Sequence, residues 1–317
     1  MGGQVDTGEE KSMKLADRVR ANIQISLLLD CNGMCHALRH TMEGLTHRGQ
    51  ETGIIYGFLM QLLALRKRFH PWLFVFAWDS QSSLRKQISR QYKANRKPIG
   101  SMIDSDDEDR KRAFRQFDLL REEILPVLNL DRWNFRVDGY EADDIIADVV
   151  RRCEGIKVIV SQDHDLYQLL SKNCSMYSTK TRQEYTRRDF QIEYGIDPER
   201  WPAVKAVAGC PGDNVIGVPG VGEQTAIKYL NGMLSCGKKW DLIDASQAQI
   251  ELNRRLVLLP LDGAMIVPAS VMAGWGEDRS ELSESGFRSV CRQYGFDSFL
   301  EPQQYQQWAD AFGWSSF

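Results

Sequence analysis

The sequence predicts an α/β fold built on a parallel sheet, and three runs of residues carry this prediction. The runs ISLLLD, WLFVFAWD and IKVIVSQD are apolar and β-rich, and they end in Asp30, Asp79 and Asp163. Runs that are apolar throughout are typical of parallel strands buried on both faces. Helical patterns lie between them, notably GIIYGFLMQLLALRKRF and FRQFDLLREEILPVL. Strand, helix and strand in this order indicate an α/β sheet.

The composition is that of an ordinary globular protein. The 317 residues are 43% hydrophobic and 26% charged, and the net charge of -3 gives no overall basic signature for nucleic acid. The seven cysteines include no CxxC pair, which argues against a disulfide framework or zinc ribbon and fits a reducing compartment. The apolar runs are too short to span a bilayer and no signal peptide opens the chain, so we expect a cytoplasmic protein without membrane contact.

Acids at the ends of the predicted strands are the first candidate site. Ligands of such sheets lie outside the carboxyl ends of the strands, so Asp30, Asp79 and Asp163 should converge on one edge. A single acid there is most often a turn or helix cap. Three acids in neighbouring strands weaken that explanation.

Further acids follow in two short motifs. GYEADD supplies Glu141, Asp143 and Asp144 at a helix entry, where the helix dipole favours acids and the first and last of them share a face. SQDHD places Asp165 two residues after a strand-end acid, and we expect His164 to be a bystander. The full set of candidate metal ligands is Asp30, Asp79, Glu141, Asp143, Asp144, Asp163, Asp165 and Asp213.

So many carboxylates in one place would repel one another unless cations neutralise them. Oxygen ligands without a His or Cys cluster favour Mg²⁺ or Mn²⁺. The chemistry that needs such a set is two-metal phosphoryl transfer, in which one ion generates hydroxide and both stabilise the attacking and leaving oxygens.

Two other stretches stand out. The run RKQISRQYKANRK from Arg85 to Lys97 carries six basic residues around Tyr92 and no acid. It suits phosphate contact with base stacking, but from the residues alone a solvated helix face explains it equally well. The glycine-rich loop GCPGDNVIGVPGVG at 209–222 is predicted to be neither helix nor strand, and a helix-like stretch, EQTAIKYL, follows it.

Taken in order, LLLD, AWDS, YKANR, GYEADD, SQDHD and GDNVIGVPGVG resemble the structure-specific 5′ nucleases, the flap endonuclease and 5′-3′ exonuclease family of bacteria and phages. The resemblance covers roughly residues 23 to 262, and the motifs together are highly specific. It implies a PIN-like central parallel sheet flanked by helices, a helical arch at about 84–124 and a C-terminal helix-three-turn-helix region.

The resemblance also implies roles for the acids. Asp30, Asp79 and Asp143 would hold the first metal ion, with Glu141 and Asp144 acting directly or through water.

The second ion would lie at Asp163, Asp165 and Asp213, and Lys93 matches the catalytic lysine that steadies charge on the scissile phosphate. Tyr92 would stack on the base near the cut. In the glycine turn, the backbone carbonyls of Val218 and Val221 would bind a K⁺ that meets a duplex phosphate. The DNA-binding set is Arg85, Arg90, Tyr92, Arg96, Lys97, Gly220, Gly222 and Lys228.

Three positions depart from the family pattern. Cys210 stands where the family usually has the first acid of GDxxDN, so we expect weaker binding of the second ion. Ala37 stands where an Arg is common, with Arg39 two residues further on. The positions at 223–225 are less basic than in many relatives, which leaves the phosphate contact to Lys228.

The expected organisation is a flexible tail at 1–22, a PIN-like nuclease domain at 23–186, a helix-three-turn-helix region at 187–265 and accessory helices at 266–317. We expect a monomeric, divalent-metal-dependent 5′ nuclease that cleaves DNA at 5′ flaps and 5′ ends in replication, repair and primer removal. Its partners would be DNA, RNA:DNA hybrids and replication proteins. No polymerase domain follows residue 317, so we expect a stand-alone nuclease of bacterial or phage type.

Two alternatives stay open from the sequence. One is a DNA-junction binding protein with impaired catalysis, which Cys210 alone favours. The other is a PIN-type ribonuclease, which would leave the basic run and the glycine turn without a purpose.

Overall fold

The computed structural model describes residues 24–39, 41, 42, 44–95 and 105–314, with only the backbone at 105–107. The predicted tail at 1–22 lies outside the described residues, and so do Arg96 and Lys97. No helix within the described ranges is long and apolar enough to cross a membrane.

Short strands and helices alternate along the described chain. The strands are β1 (Ile25–Asp30), β2 (Thr46–His47), β3 (Gln50–Glu51), β4 (Leu73–Trp78), β5 (Asn134–Arg136), β6 (Ile156–Val160), β7 (Cys174–Ser178), β8 (Gln183–Tyr185), β9 (Gly209–Cys210) and β10 (Val215–Ile216). The α-helices are α1 (Cys31–Arg39), α2 (Gly53–Phe69), α3 (Ser83–Ile88), α4 (Ser105–Leu119), α5 (Leu125–Val127), α6 (Ala142–Arg152), α7 (Arg187–Tyr194), α8 (Trp201–Ala208), α9 (Glu223–Leu230), α10 (Lys238–Ala245), α11 (Gln247–Val257), α12 (Ala269–Met272), α13 (Glu284–Tyr294), α14 (Asp297–Leu300) and α15 (Pro302–Phe312).

The central sheet has six strands in the order β5-β4-β1-β6-β7-β8. All of its neighbouring pairs are parallel except β7 with β8. The predicted α/β class with a central parallel sheet is therefore confirmed. In the register, Asp30 pairs with Ala77 of β4, and Leu29 pairs with Val160 of β6. The three central strands thus end at nearly the same level, which places the residues after them at one edge.

Two of the three predicted strand ends agree with the structure, and the third does not. β1 ends at Asp30, and Asp79 directly follows β4. β6 already ends at Val160, and Asp163 instead caps a 3₁₀ turn, His164–Leu169, by accepting from the backbone N–H of Asp165. The apolar run stops at residue 160, and the polar SQD that follows turns the chain.

The sheet is buried on both faces, as the uninterrupted apolar runs predict. Leu27 and Leu29 point to a core with α1, α2 and the C-terminal helices, where Trp308 is fully buried. Leu28 points to the opposite core, which includes α6 and Trp201 of α8. Side chains alternate along a strand, so each apolar run serves both layers.

One predicted helix is intact and another is interrupted. GIIYGFLMQLLALRKRF is the whole of α2. The pattern at 114–128 begins within α4, continues as a π-helical turn, Leu120–Ile124, and ends as α5. Pro126 has no N–H to donate to the preceding turn, which accounts for a break in the regular ladder here.

The glycine-rich loop was predicted to lack regular structure, and this is wrong for its first half. β9 pairs antiparallel with β10, and a 3₁₀ turn, Pro211–Asp213, joins them. A Cβ at Gly217 would lie 2.1 Å from the carbonyl oxygen of Ala208, so only glycine permits this approach. Gly220 has φ +73°, which glycine adopts without strain. α9 then coincides with the predicted EQTAIKYL helix.

Two buried carboxylates on α6 hold the segment that leads to the C-terminal helices. Asp144 accepts from the backbone N–H of Leu261 at 2.8 Å. One helical turn later, Asp148 accepts from the N–H groups of Ile266 and Val267, both at 2.8 Å. Hydrogen bonds to a buried carboxylate are charge-assisted and strong. α6 is therefore tied to residues 261–267.

Candidate active site

Asp30 lies at the carboxyl end of β1, at the centre of the acidic edge. Its Oδ1 accepts from the Gly33 N–H at 2.8 Å, and its Oδ2 accepts from the Ser161 hydroxyl at 2.9 Å. A Cβ at position 33 would lie 2.3 Å from Oδ2, so glycine makes room for the carboxylate. Desolvation and the neighbouring Asp79 raise the pKa of Asp30 to about 7.

Asp79 joins three elements at the same edge. Its backbone N–H donates to the Oδ1 of Asn32 in α1 at 2.9 Å. Its own Oδ1 accepts from the N–H of Ala142, the first residue of α6, at 2.8 Å. The carboxylate thus stabilises the start of the helix that carries the GYEADD acids.

Two more acids complete this group. Desolvation and then Asp163, Asp30 and Asp79 raise the pKa of Asp143 well above its ordinary value. Desolvation and then Asp165 raise the pKa of Asp163. We call Asp30, Asp79, Asp143 and Asp163 the strand-edge acids. A cavity of about 270 Å³ opens beside them, lined by Asp30, Asp163 and residues of α1 and β6.

A second set of acids contacts basic side chains of the protein itself. We call Glu141, Asp144 and Asp165 the paired acids, and their partners are Lys93, Arg85 and Lys205 respectively. Burial alone would raise the pKa of Glu141, but Lys93 and Arg85 hold it below its ordinary value.

Lys93 binds the acids through both its side chain and its backbone. Its Nζ forms an ion pair with Glu141 and lies 3.7 Å from Oδ1 of Asp213. Its backbone N–H donates to the carbonyl oxygen of Asp213 at 2.8 Å. Lys93 has φ +52°, an uncommon conformation for a residue other than glycine. The segment that follows α3 is therefore fixed at Lys93 against the loop that carries Asp213.

The positions of Tyr92 and Arg85 correct two predictions of DNA contact. Tyr92 is 3% exposed, and its hydroxyl lies 2.8 Å from Oε2 of Glu141 and 3.0 Å from Oδ2 of Asp213. It presents no ring face on which a base could stack. Arg85 is 1% exposed, and its guanidinium is bound to Asp144 and to the carbonyl oxygen of Leu256. Its charge therefore faces the interior rather than a DNA strand.

Asp144 also differs from its predicted role near a metal ion. Its two oxygens accept from the two terminal nitrogens of Arg85, from the N–H of Leu261 and from the N–H of Glu141. The side chain is fully buried. Four hydrogen bonds saturate a carboxylate, so this acid joins α3, α6 and the chain after α11.

The contact that sequence reasoning missed is Lys205, on α8. Its Nζ lies 3.1 Å from Oδ1 of Asp165 and 3.5 Å from Oε1 of Glu223. Cys210 Sγ donates to the same Asp165 oxygen across 3.9 Å. Burial alone would lower the pKa of Lys205, but Asp165 and then Glu223 raise it above its ordinary value. The AVKAVAGC stretch carries this lysine five residues before Cys210, which is the only sequence signal for it.

The remaining predicted residues lie away from this edge or on the surface. Arg90, Gly220, Gly222 and Lys228 are exposed. The side chains of Val218 and Val221 are buried, and the carbonyl oxygen of the first accepts from the N–H of the second at 3.0 Å. The ring of His164 stacks on Tyr167 with centroids 4.6 Å apart. The DNA and K⁺ roles of this set stay predictions.

The strand-edge acids have the oxygen donors that a divalent ion prefers, but their side chains are not arranged around a common point. No three His, Cys, Asp or Glu side chains in the described part of the chain are grouped so that they could hold an ion as they stand. Backbone amides occupy one oxygen each of Asp30, Asp79 and Asp163. The donors are nevertheless all oxygens, and their crowding raises pKa values, which is the electrostatic condition that a divalent cation relieves.

Comparison with known proteins identifies the class to which this fold and site belong. Residues 26–195 match the family described as 5′-3′ exonuclease, N-terminal resolvase-like domain. The chain belongs to this 5′-3′ exonuclease and flap endonuclease family of bacterial and phage type. The resemblance stated from the motifs is therefore confirmed.

Curated relatives of the chain are bacterial DNA polymerases. DNA polymerase I of Bacillus caldotenax is 28% identical over 277 residues, which are 81% of this chain and 30% of the relative. The thermostable DNA polymerase I of Thermus thermophilus is 34% identical over 290 residues, or 86% of this chain and 32% of the relative. The chain thus spans about a third of the length of these relatives.

Solved structures show the same fold. The 5′-exonuclease of phage T5 with divalent zinc ions bound has a TM-score of 0.65 at 21% identity, over 79% of this chain and 96% of that one. The phage T5 flap endonuclease in a pseudo-enzyme-product complex with DNA and metal ions gives 0.64 at 21%, with the same coverage. The predicted PIN-like class is therefore confirmed.

Proposed function

We propose that this protein is a divalent-metal-dependent 5′ nuclease that hydrolyses DNA phosphodiesters at 5′ flaps and 5′ ends. The observation that carries the proposal is that the strand-edge acids lie beside the ion pair of Lys93 with Glu141, at the carboxyl edge of the sheet. An acidic group with an adjacent cation on a separate segment suits a substrate whose phosphate must be held and polarised. Membership of the exonuclease family supports the same reaction class.

The strand-edge acids would hold the divalent ions, Mg²⁺ or its substitute Mn²⁺. When bound, such an ion activates water as a nucleophile and stabilises charge on the phosphate. Asp30 and Asp143 lie on rigid elements, the end of β1 and the first turn of α6. Their contribution is to fix the oxygen donors at one edge. Binding of two ions, with the second near Asp163, Asp165 and Asp213, is the finer part of this proposal.

Lys93 would steady the developing charge of the scissile phosphate. Its ammonium lies on the segment after α3, within the acidic site and 14% exposed. A phosphate that approaches the acids would compete with Glu141 for this ammonium. The exposed Arg90, with Arg96 and Lys97, would then contact the backbone of the same strand. Because these basic residues all lie within 84–124, we propose that the arch formed by this segment receives the free 5′ end.

The glycine turn and α9 would hold the duplex part of the substrate. Gly220, Gly222 and Lys228 are exposed on this element, and backbone N–H groups at a helix N-terminus bind phosphate. A K⁺ at the carbonyls of Val218 and Val221 belongs to the same proposal. Contacts of this kind carry no sequence information, which suits an enzyme that recognises the shape of DNA.

The wider setting follows from the kind of relatives that the chain has. The curated relatives are DNA polymerases, and a solved relative was captured with DNA. We therefore place the protein in DNA replication, repair and primer removal in the cytoplasm, acting as a monomer with replication proteins as partners. RNA:DNA hybrids, as in RNA primers, belong to its proposed substrates.

The test is cleavage of a labelled 5′-flap duplex beside single-stranded RNA and a blunt duplex, each with Mg²⁺ or with EDTA. Wild-type protein should cut the flap substrate only with Mg²⁺. Lys93→Ala should lower the cleavage rate by about 10²–10³-fold, because one preorganised charge at the phosphate is lost. Lys239→Ala, at an exposed lysine of α10, is the control and should cleave normally.

The two alternatives give different results in the same assay. Tight flap binding without cleavage would indicate a junction-binding protein, and rapid cleavage of RNA alone would indicate a PIN-type ribonuclease. Flap cleavage that persists in EDTA would contradict the proposed role of the strand-edge acids.

A further inference from the structure

The acids proposed to hold the second ion are Asp163, Asp165 and Asp213. They have less free negative charge than the sequence suggests. Lys205 Nζ lies 3.1 Å from Oδ1 of Asp165, and its side chain is only 13% exposed. Lys93 Nζ lies 3.7 Å from Oδ1 of Asp213. Both acids that extend this group beyond Asp163 therefore have an ammonium of the protein close by. A divalent ion that binds there must compete with these ammonium groups.

Cys210 weakens the group further. Its thiol is buried and contacts the same Asp165 oxygen that faces Lys205. An ordinary cysteine thiol is uncharged near neutral pH, whereas an aspartate at this position would be ionised. The position therefore adds a neutral neighbour to Asp165 rather than an anionic ligand.

We propose that Lys205 is a built-in competitor for the second divalent ion: its ammonium neutralises Asp165, and a second ion binds there only when that ammonium leaves. The inference rests on the proposed function, which supplies the first ion at the strand-edge acids. It makes Lys205 a positioning residue that sets the order in which the two ions bind, first at the strand edge and second at Asp165.

Glu223 gives the displaced ammonium a place to go. Its Oε1 already lies 3.5 Å from Lys205 Nζ, so a small rotation of the lysine exchanges one carboxylate for the other. Glu223 is the first residue of α9, directly after the glycine turn. The carboxylate that would accept the displaced Lys205 ammonium thus lies on the element proposed to hold the duplex. Removing this carboxylate should make the second ion bind more weakly.

The test is a Mn²⁺ titration of the full chain, followed by the electron paramagnetic resonance signal of free Mn²⁺. Wild-type protein should bind one ion tightly and a second at least about ten times more weakly. Lys205→Met should lower the dissociation constant of the second, weaker class of Mn²⁺ site about tenfold, because Asp165 loses its competing cation. The affinity of the first class should stay unchanged. Cys210→Asp should also tighten the second class, since it adds a carboxylate beside Asp165. Glu223→Gln should weaken it about threefold.

Controls separate this effect from misfolding and from a failure of the proposed function. Lys239→Met removes an exposed lysine of α10 and should leave both classes unchanged. Thermal melting identifies a variant that does not fold, and Lys205→Gln then replaces Lys205→Met.

Two outcomes would overturn this inference and leave the proposed function standing. One is that wild-type protein binds two Mn²⁺ ions with equal affinity. The other is that Lys205→Met leaves the affinity of the second site unchanged or lowers it. No Mn²⁺ binding by any variant would contradict the proposed metal dependence as well.

Discussion

The strand-edge acids and the paired acids lie side by side, but different charges balance them. Neighbouring acids raise the pKa of Asp30 and Asp143 beyond the effect of desolvation. Lys93 and Arg85 instead lower the pKa of Glu141 against the effect of burial. The first group therefore depends on an external cation or on protons, whereas the second is already balanced by the chain. An acid-rich motif such as GYEADD thus contains two kinds of carboxylate, one open to ligand binding and one structural.

The largest expected effect comes from breaking a paired acid. Arg85→Met leaves the fully buried Asp144 without its cation, and an uncompensated buried charge destabilises a fold strongly. We expect the free energy of unfolding to fall by about 3–5 kcal/mol. Urea denaturation measures this change.

Two controls show whether the charge itself is responsible. Arg254→Met removes an exposed arginine whose ion pair with Glu251 spans 2.9 Å, and it should change the stability by less than about 0.5 kcal/mol. Combining Arg85→Met with Asp144→Asn should recover part of the loss, because the uncompensated charge of Asp144 is then removed while an amide oxygen can still accept a backbone hydrogen bond there. A loss below about 1 kcal/mol for Arg85→Met would show that the two groups of acids do not differ as described.

The raised pKa values of the strand-edge acids should make the free energy of unfolding depend on pH when divalent ions are absent. The pKa of Asp30 is raised from 3.8 to about 7, so between these values the folded chain holds a proton that the unfolded chain releases. In EDTA, stability should therefore fall as pH rises from about 4 to 7, by about 1–3 kcal/mol at this partly exposed side chain.

Variants and ions sharpen this measurement. Asp30→Asn should reduce the pH dependence and leave the part that comes from the raised pKa values of Asp143 and Asp163. Asp138→Asn, at a side chain that is 95% exposed, should retain the full dependence. Added Mg²⁺ should abolish it because an ion favours the charged carboxylates. Stability in EDTA that rises over the same pH range would contradict the raised pKa.

The smallest expected effect is at Tyr92, whose hydroxyl contacts one of the paired acids, Glu141, and also Asp213. Tyr92→Phe keeps the buried ring and removes only the hydroxyl that reaches Glu141 and Asp213. Loss of one such hydrogen bond should cost about 1–2 kcal/mol in unfolding experiments. Flap affinity should change little. A large loss of flap affinity with normal stability would mean instead that this residue acts on the substrate, as the sequence predicted.

The fold and two of the strand-edge acids, Asp30 and Asp79, were predictable because parallel neighbouring strands end at the same edge of a sheet. Apolar runs gave β1 and β4, and an acid at or just after each run had to lie at their common carboxyl edge. Such reasoning needs only local patterns. It missed Gly33 and Ser161, whose contacts with Asp30 depend on where the neighbouring segments turn.

The paired acids could not be predicted in the same way. Their partners lie 40 to 59 residues away in the sequence, as the separations of Lys205 from Asp165 and of Arg85 from Asp144 show. A basic run such as RKQISRQYKANRK is usually exposed, and only packing against the acids shows that part of it is buried. Charge pattern alone does not distinguish a lysine or arginine that binds a phosphate from one that binds a buried carboxylate.

The ties between α6 and residues 261–267 bear on where this protein can be divided. The match to the exonuclease family ends at residue 195, yet the helix that carries Asp143 holds backbone amides as far as Val267 through Asp144 and Asp148. A fragment cut at the family boundary would expose two carboxylates whose donors had been removed. The smallest excised fragment that keeps the donors of both carboxylates therefore extends through residue 267.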